Sequence, residues 1–287
     1  MNQIFIVFMN GLTYAGLLFM CASGLTLIFG LMQIVNMSHG IFYLVGAYAG
    51  LTILGVTGNW VLAILTGGVI TALIAGILKI SLFDRVLGDS QRETLLTLGI
   101  NMIINDLILA IFGGTQRTVT APEALRTSIN LGLSRYPLIR LIILGVAVLE
   151  GILLFLLIRK TKIGQYIRAG VDNRSMTSAL GININLVFTF VFALGGFLAG
   201  SSGVLGGTYL AFAQGFDATI LTYSLVVVII GGIGNLWGAA LGALLVGLID
   251  SITKATVTNL SMICIFGALM VVLAFRPNGL LGKAAKK

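Results

Sequence analysis

Few residues of this chain are equipped for chemistry, and most of those lie inside long apolar runs. Glu150 sits within Pro137–Ile158. Asp106 sits within Leu95–Gly114 beside Asn101 and Asn105, and Asp250 ends a third run. A carboxylate in hydrocarbon is costly, so such groups face a bundle interior or water, pair across helices, or serve a solute path. For Glu150, the most deeply placed, helix pairing and a role in transport are both open. A proton relay would need further acids or histidines on facing helices. The chain has one histidine, His39, in the cluster Asn36-Met37-Ser38-His39-Gly40. That cluster interrupts the first two apolar runs and reads either as a loop or half-helix cap or as a pathway element.

Other chemistries lack their residues. No GxxxxGK[ST] occurs, so no loop of this type cradles a nucleotide's phosphates. HExxH, GxSxG and paired metal-ligand spacings are missing, as is a potassium-type filter. An enzymatic reading has no nucleophile in a credible setting, and no bound cofactor is expected. Cys21 and Cys264 both lie in apolar runs without metal spacing and read as small packed side chains.

Composition explains why the polar residues are so isolated. The chain is 58% hydrophobic and only 9% charged, with a mean hydropathy of +1.09. A soluble domain carries roughly 25% charged residues, so this chain cannot cover a water-facing surface. It reads as an all-α polytopic membrane protein in contact with lipid. Its net charge of +8 comes from loops and tails, where membrane topology places basic residues. No basic face interleaved with aromatics supports nucleic-acid binding. The stretch from Met1 to Leu78 has no charged side chain. The positive region of a cleavable signal is therefore absent, and the first run is expected to be a retained span.

A span needs about 20 apolar residues. Eight runs emerge: Ile4–Leu31, Met37–Val56, Trp60–Leu82, Leu95–Gly114, Pro137–Ile158, Leu186–Phe212, Thr219–Asp250 and Val257–Phe275. Trp60, Tyr136 and Trp237 lie near run ends or breaks, where aromatic belts form. Basic residues at 159–174 and in the tail (Arg276, Lys283, Lys286, Lys287) place both segments in the cytoplasm. An even number of crossings must then separate them, yet only three runs do. Thr219–Asp250 would be roughly 48 Å long as one helix, and Gly231-Gly232-Ile233-Gly234 interrupts it. A break there is expected, giving two short crossings or a re-entrant half-helix. Counting back puts Lys79–Glu93 inside and the N-terminus outside. The loop Thr115–Tyr136 then falls outside despite Arg117, Arg126 and Arg135.

Small residues recur at every fourth position. Gly195, Ala199, Gly203 and Gly207 share one helix face, as do Gly234, Gly238 and Gly242. Such rows let helices approach closely where lipid supplies no hydrophobic drive for association. Broken, glycine-rich backbone at membrane depth must also be buried or line a cavity, so Gly231, Gly232 and Gly234 are candidates for a path wall.

The longest polar interval is Arg159–Asn185. It opens with Arg159, Lys160, Lys162, Arg168 and Arg174 against one acid, Asp172. One short surface helix is expected there, capped by Asp172 and ended by Gly181. Met176, Ala179 and Leu180 form its apolar face. The interval is a positive-inside loop at the least and a docking helix at most.

These residues together resemble the permease subunits of bacterial ABC importers for branched-chain amino acids, over nearly the whole chain. Gly30-Leu31, Asn36 to Gly40 and Gly46-Ala47-Tyr48 look like the family's N-terminal pattern, with Met37-Ser38 in place of Phe-Ala. Lys160 to Gly164, Ile167-Arg168-Ala169 and Ala179 to Asn183 are similar to its coupling segment, although Asp172 to Ser175 is more polar than usual. Gly231 to Gly234 with Gly238-Ala239 and Gly242-Ala243, and Arg276 to Gly282, look like the two remaining hallmarks.

The likeness is to the shorter permease of a heterodimer. It implies a single transmembrane permease domain over 1–287 with a cytoplasmic coupling loop at 159–185, in the bacterial inner membrane. It also implies a second permease subunit, two cytoplasmic ATPase subunits that use the ATP, and an extracytoplasmic substrate-binding protein. Coupling would fall to Arg168, Ala169, Asp172, Arg174, Met176, Leu180 and Gly181. The path would fall to Asn36, Ser38, His39, Glu150 and the Gly231–Gly234 break. Branched-chain or related aliphatic amino acids are the expected cargo. Urea or short-chain amides are the alternative within the same class. A stand-alone secondary transporter or channel is the alternative outside it, and would need buried charge partners for a coupling ion.

Overall fold

The computed structural model describes residues 2–32, 36–132 and 134–282. In chain order the helices are α1 (Asn2–Met32), α2 (His39–Thr57), α3 (Trp60–Leu78), α4 (Asp84–Val86), α5 (Ser90–Phe112), α6 (Leu138–Lys160), α7 (Lys162–Asp172), α8 (Arg174–Ala179), α9 (Ile184–Tyr209), α10 (Phe216–Gly231), α11 (Leu236–Thr256) and α12 (Ser261–Phe275). A π-helical turn, Lys79–Phe83, joins α3 to α4. The only strands among the described residues are β1 (Ser128–Asn130) and β2 (Arg135–Pro137), a short antiparallel pair before α6. Eight of these helical segments are long and apolar enough to cross a membrane, and α10 is a shorter apolar helix. This is an all-α, multi-pass membrane protein.

Helix α1 is the centre of the bundle and packs against α6, α9, α10 and α11. Glycine makes the approach possible. A Cβ at Gly24 would strike the backbone of Gly195, and one at Gly46 would strike that of Gly200. The row Gly195, Ala199, Gly203 and Gly207 is buried throughout, facing α1, α2 and the loop after α9. Helix α3 completes this face, with Thr71 and Ala75 against Gly196.

The contacts fix helix directions. Thr13 meets Tyr136 and Arg140, Gly16 meets Ala147, and Ser23 meets Glu150, so α6 runs parallel to α1. Val7 meets Ser251, Gly11 meets Leu248, and Gly30 meets Gly234, so α11 runs antiparallel to it. Gly30, Arg159 and Gly234 therefore share one end of the bundle. Four helices, α9 to α12, lie between the segment at 159–174 and Arg276, the even number that the charge pattern demands. Lys283, Lys286 and Lys287 lie outside the described residues.

The long run Thr219–Asp250 is a helical hairpin. Gly232 (φ 102°) and Gly234 (φ 73°) turn the chain through backbone conformations that other residues rarely adopt. Asn235 then caps α11, its Oδ1 accepting from the backbone N–H of Trp237 at 3.0 Å and Gly238 at 3.2 Å. Gly231 and Gly238 touch backbone to backbone across the hairpin, as do Val227 and Gly242. Helix α10 has 16 residues. That is about 24 Å, short of a ~30 Å hydrocarbon core, and its first turn packs on Gly40 at the start of α2, so α10 begins inside the bundle.

Some boundaries differ from those expected. Helix α5 begins at Ser90, because Asp89 caps it through the N–H groups of Gln91 and Arg92. Polar residues 90–94 therefore belong to the helix rather than the loop. Trp60 and Tyr136 do stand near helix ends, but both are buried. Trp60 donates Nε1–H to Thr208 at 3.1 Å, and Tyr136 hydrogen-bonds Asn10 and Thr13. Their polar atoms find protein partners and need no headgroup layer. Trp237 alone of the three is exposed.

Candidate functional site

The segment between α6 and α9 holds two helices, not one. Thr161 caps α7, its Oγ1 accepting from Gly164 N–H at 3.1 Å. Gly164 sits so close to the last carbonyls of α6 that a Cβ would strike Leu157 and Ile158. Arg168 donates to the carbonyl of Ile158, tying α7 to the negative end of α6. The carbonyl of Ala169 accepts from Asn173 N–H at 2.9 Å. The cap of α8 is Asn173, with Oδ1 accepting from Met176 N–H at 2.9 Å. Asp172 remains helical as the last residue of α7, whereas Asn173 has the extended backbone (φ −157°, ψ 103°) that a cap requires. Gly181 adopts the left-handed conformation (φ 82°) beyond α8.

This helix pair presents a sided surface. Ile167 and Gly170 of α7 and Thr177 of α8 are buried. Met176 (60%) and Leu180 (74%) stand open, with Ala179 between them. Arg174 is held over the ring of Phe188 at 4.9 Å. Beside α8 runs a polar groove of about 700 Å³ whose lining includes Arg174, Ser178 and Asn183. Beside α7 lies a cleft of about 620 Å³, lined in part by Arg159, Arg168, Asp172, Asn235 and Trp237.

The glycine-rich turn lies at this same end, against Gly30 and the chain's last described residues. Leu280 N–H donates to Ile230 O at 2.8 Å and Leu281 N–H to Gly231 O at 3.1 Å. Asn235 Nδ2 donates to Leu281 O at 2.7 Å. The Gly231–Gly234 and Arg276–Gly282 sequences thus build one knot. Gly231, Gly232 and Gly234 lie at this end of the bundle, and Gly234 also lines the cleft beside α7. Their role here is the hairpin turn, whose freed carbonyls the tail satisfies.

Asn36, Ser38 and His39 do come together. Asn36 Oδ1 accepts from Ser38 N–H at 3.0 Å and Ser38 Oγ–H at 2.6 Å, forming the turn that starts α2. His39, fully buried, lies 3.0 Å through Nε2 from the carbonyl of Cys21. A carbonyl only accepts, so Nε2 carries the proton. The cluster is the turn before a helix that begins within the bundle, beside Gly24, with Ser38 at the cap position.

Glu150 is half-buried and accepts from Ser23 Oγ at 3.2 Å, a pairing between α6 and α1. Asp250 is a clamp at the opposite end, 2.8 Å from Lys254 and 2.5 Å from Ser261 Oγ. Asp106 departs from the expected inward placement. It is exposed on the outer face of α5 with Met102 and Ile103, because it is one residue, or about 100°, round the helix from Asn105.

One residue escaped the sequence reading. Asp217, in the first turn of α10, is 2% exposed and accepts from Asn105 Nδ2 at 3.0 Å. Between runs ending at Phe212 and starting at Thr219 it reads as an external loop. The signal that finds it is the shortness of α10, which brings its first turn down to Gly40 at the start of α2. Among the described residues no group of three or more metal-ligating side chains occurs.

Comparison with known proteins covers nearly the whole chain. It is 27% identical to the high-affinity branched-chain amino acid transport system permease protein LivH of Salmonella typhimurium, over 99% of this chain and 98% of the relative. It is also 27% identical to the permease protein BraD of the equivalent system in Pseudomonas aeruginosa, over 96% and 94%. A ribose import permease protein of Haemophilus influenzae is 31% identical over 44% of the chain. No solved structure matches. The profile of the branched-chain amino acid transport system / permease component family matches residues 7–274. An all-helical bundle whose longest cytoplasm-type segment is a capped, open helix pair, matched end to end by permeases, is a multi-pass inner-membrane transport component, and the chain belongs to that permease family.

Proposed function

We propose that this chain is the permease subunit of an ATP-driven importer, that it forms part of the path for branched-chain or related aliphatic amino acids, and that separate subunits hydrolyse the ATP. The observation that carries this is the exposed Met176–Leu180 edge of α8. It is an apolar surface on a basic loop, in a chain that lacks the GxxxxGK[ST] loop. A permease that cannot use ATP must be moved by something that docks to it. The likeness to LivH and BraD supports the cargo class.

The partners follow from the same reading: two ATPase subunits, one of them on α7 and α8 of this chain, a second permease, and an extracytoplasmic binding protein at the far end. No cofactor is bound by this chain. Alternating access supplies the mechanism. Movement of the ATPases is carried through α7 and α8, which are tied to α6 by Arg168 and by the glycine-tight junction at Gly164.

The test is purification from native membrane with a tag at the C-terminus, followed by reconstitution. ATPases and a second permease in the complex, and amino acid uptake that requires ATP, are the expected result. Solute movement by the chain alone, driven by an ion gradient, would sink the proposal.

A further inference from the structure

Around Asp217 three buried side-chain oxygens stand without donors among the described residues. Asp217 Oδ2 accepts from Asn105 Nδ2. The other oxygen of Asp217 and the side-chain oxygens of Asn105 and Asn101 are buried with no partner among the described residues. Asn101 and Asn105 are four residues apart on α5, hence on one face. A clamp between α5 and α10 would be complete with the one bond it already has. Turning the Asn105 amide over would only set its oxygen against the carboxylate. Buried acceptors left without donors are costly, and native structures reserve them for ligands, ions or water.

The backbone fits a waiting carboxylate. Asp217 lies in the first turn of α10, and the start of α2 closes on it at Gly40. The positive end of the α10 dipole lies at that first turn, where a carboxylate suits it. Three unpartnered oxygens, one of them on a carboxylate, match the three N–H donors of a primary ammonium group.

We propose that Asp217, Asn105 and Asn101 form a station for the primary ammonium group of the cargo inside the membrane. The proposal rests on the amino acid reading above and names the part of the cargo that this chain recognises.

The test uses the complete transporter in proteoliposomes with its binding protein. Leucine import per ATP hydrolysed is measured for the unaltered complex and for Asp217→Asn, Asn101→Ala and Asn105→Ala. Losing a hydrogen bond to a charged group weakens recognition about tenfold or more. Asp217→Asn should therefore lower import per ATP by that factor while binding-protein-stimulated hydrolysis persists. The two asparagine variants should show smaller losses of the same kind. Unchanged import per ATP in Asp217→Asn would overturn the proposal. So would parallel loss of hydrolysis and import in Asp217→Asn with both asparagine variants unaltered, the mark of a clamp. If Asp217→Asn does not assemble, Asn101→Ala decides alone, and unchanged import there overturns the station. Import that requires sodium or potassium, and loses that requirement in Asn101→Ala, would assign the oxygens to a metal cation instead. An unaltered complex that imports no amino acid at all would instead refute the functional reading on which the station rests.

Discussion

Replacing Met176 and Leu180 together by Asp should uncouple ATP hydrolysis from uptake while leaving the fold intact. Both side chains are largely exposed in the isolated chain, at 60% and 74%. The cap of α8 is Asn173, and its buried anchor is Thr177, neither of which changes. Surface substitutions of this kind cost the fold about 0.5 kcal/mol or less. In the docked complex the balance differs. Covering a large apolar side chain is worth about 1.5–3 kcal/mol, and scaling by the exposed fractions leaves roughly 1–2 kcal/mol for each. The pair is then worth about 3 kcal/mol, or roughly a hundredfold in affinity for the ATPase subunit. Binding of that subunit to detergent-solubilised permease gives the first readout, and uptake in proteoliposomes the second. Gln165→Asp, exposed on α7 away from this edge, is the control for added charge. Wild-type docking and coupling in the double variant would refute the assignment of α8 as a docking helix.

Three further outcomes follow from the packing. Asp84→Asn should lower thermal stability in detergent more than Lys79→Met, by about 1–3 kcal/mol. Lys79 is buried and would lose its ion pair at 3.0 Å, keeping only the carbonyl of Asn185, whereas Asp84 is partly exposed. Equal shifts would refute the asymmetry. Gly238→Ala should cost about 1–3 kcal/mol, because its Cβ would meet the carbonyl of Gly231, which is fixed backbone; an unchanged melting temperature would show that the hairpin spreads freely. Asn173→Ala should raise amide exchange across α8 by about fivefold, since a lost cap costs around 1 kcal/mol; unaltered exchange would show that the cap contributes nothing.

The sequence discloses this fold where local chemistry is decisive. Four residues, Gly231 to Gly234, break a run too long for one span, and charge parity requires the extra crossing that α10 supplies. The four-residue spacing of Gly195, Ala199, Gly203 and Gly207 marks a contact face because only small side chains permit it. The interval at 159–185 is harder to divide, because Asp172 and Asn173 are both good caps. Only the backbone at Asn173 decides between them. Ser90 to Thr94 look like loop for a similar reason: their helicity comes from the Asp89 cap and not from hydrophobicity.

The site is less legible than the fold because hydropathy assigns depth by neighbours in sequence. Asp217 lies between apolar runs and His39 at the very start of one, and counting spans puts such residues near a surface. Each instead opens a helix that begins inside the bundle, α10 at Phe216 and α2 at His39. A helix that starts within a membrane must satisfy its first N–H groups and its dipole there. Neither start has a side-chain cap, and the polar side chains there reach other helices instead, His39 the carbonyl of Cys21 and Asp217 the amide of Asn105. The two starts are brought together because Gly40 lets α2 close on the backbone of Asp217. Asp106, by contrast, lies within an apolar run and faces outward, so depth in sequence gives no inward direction. In a bundle of this kind the side chains to suspect of handling a solute are those that open a short or interrupted helix.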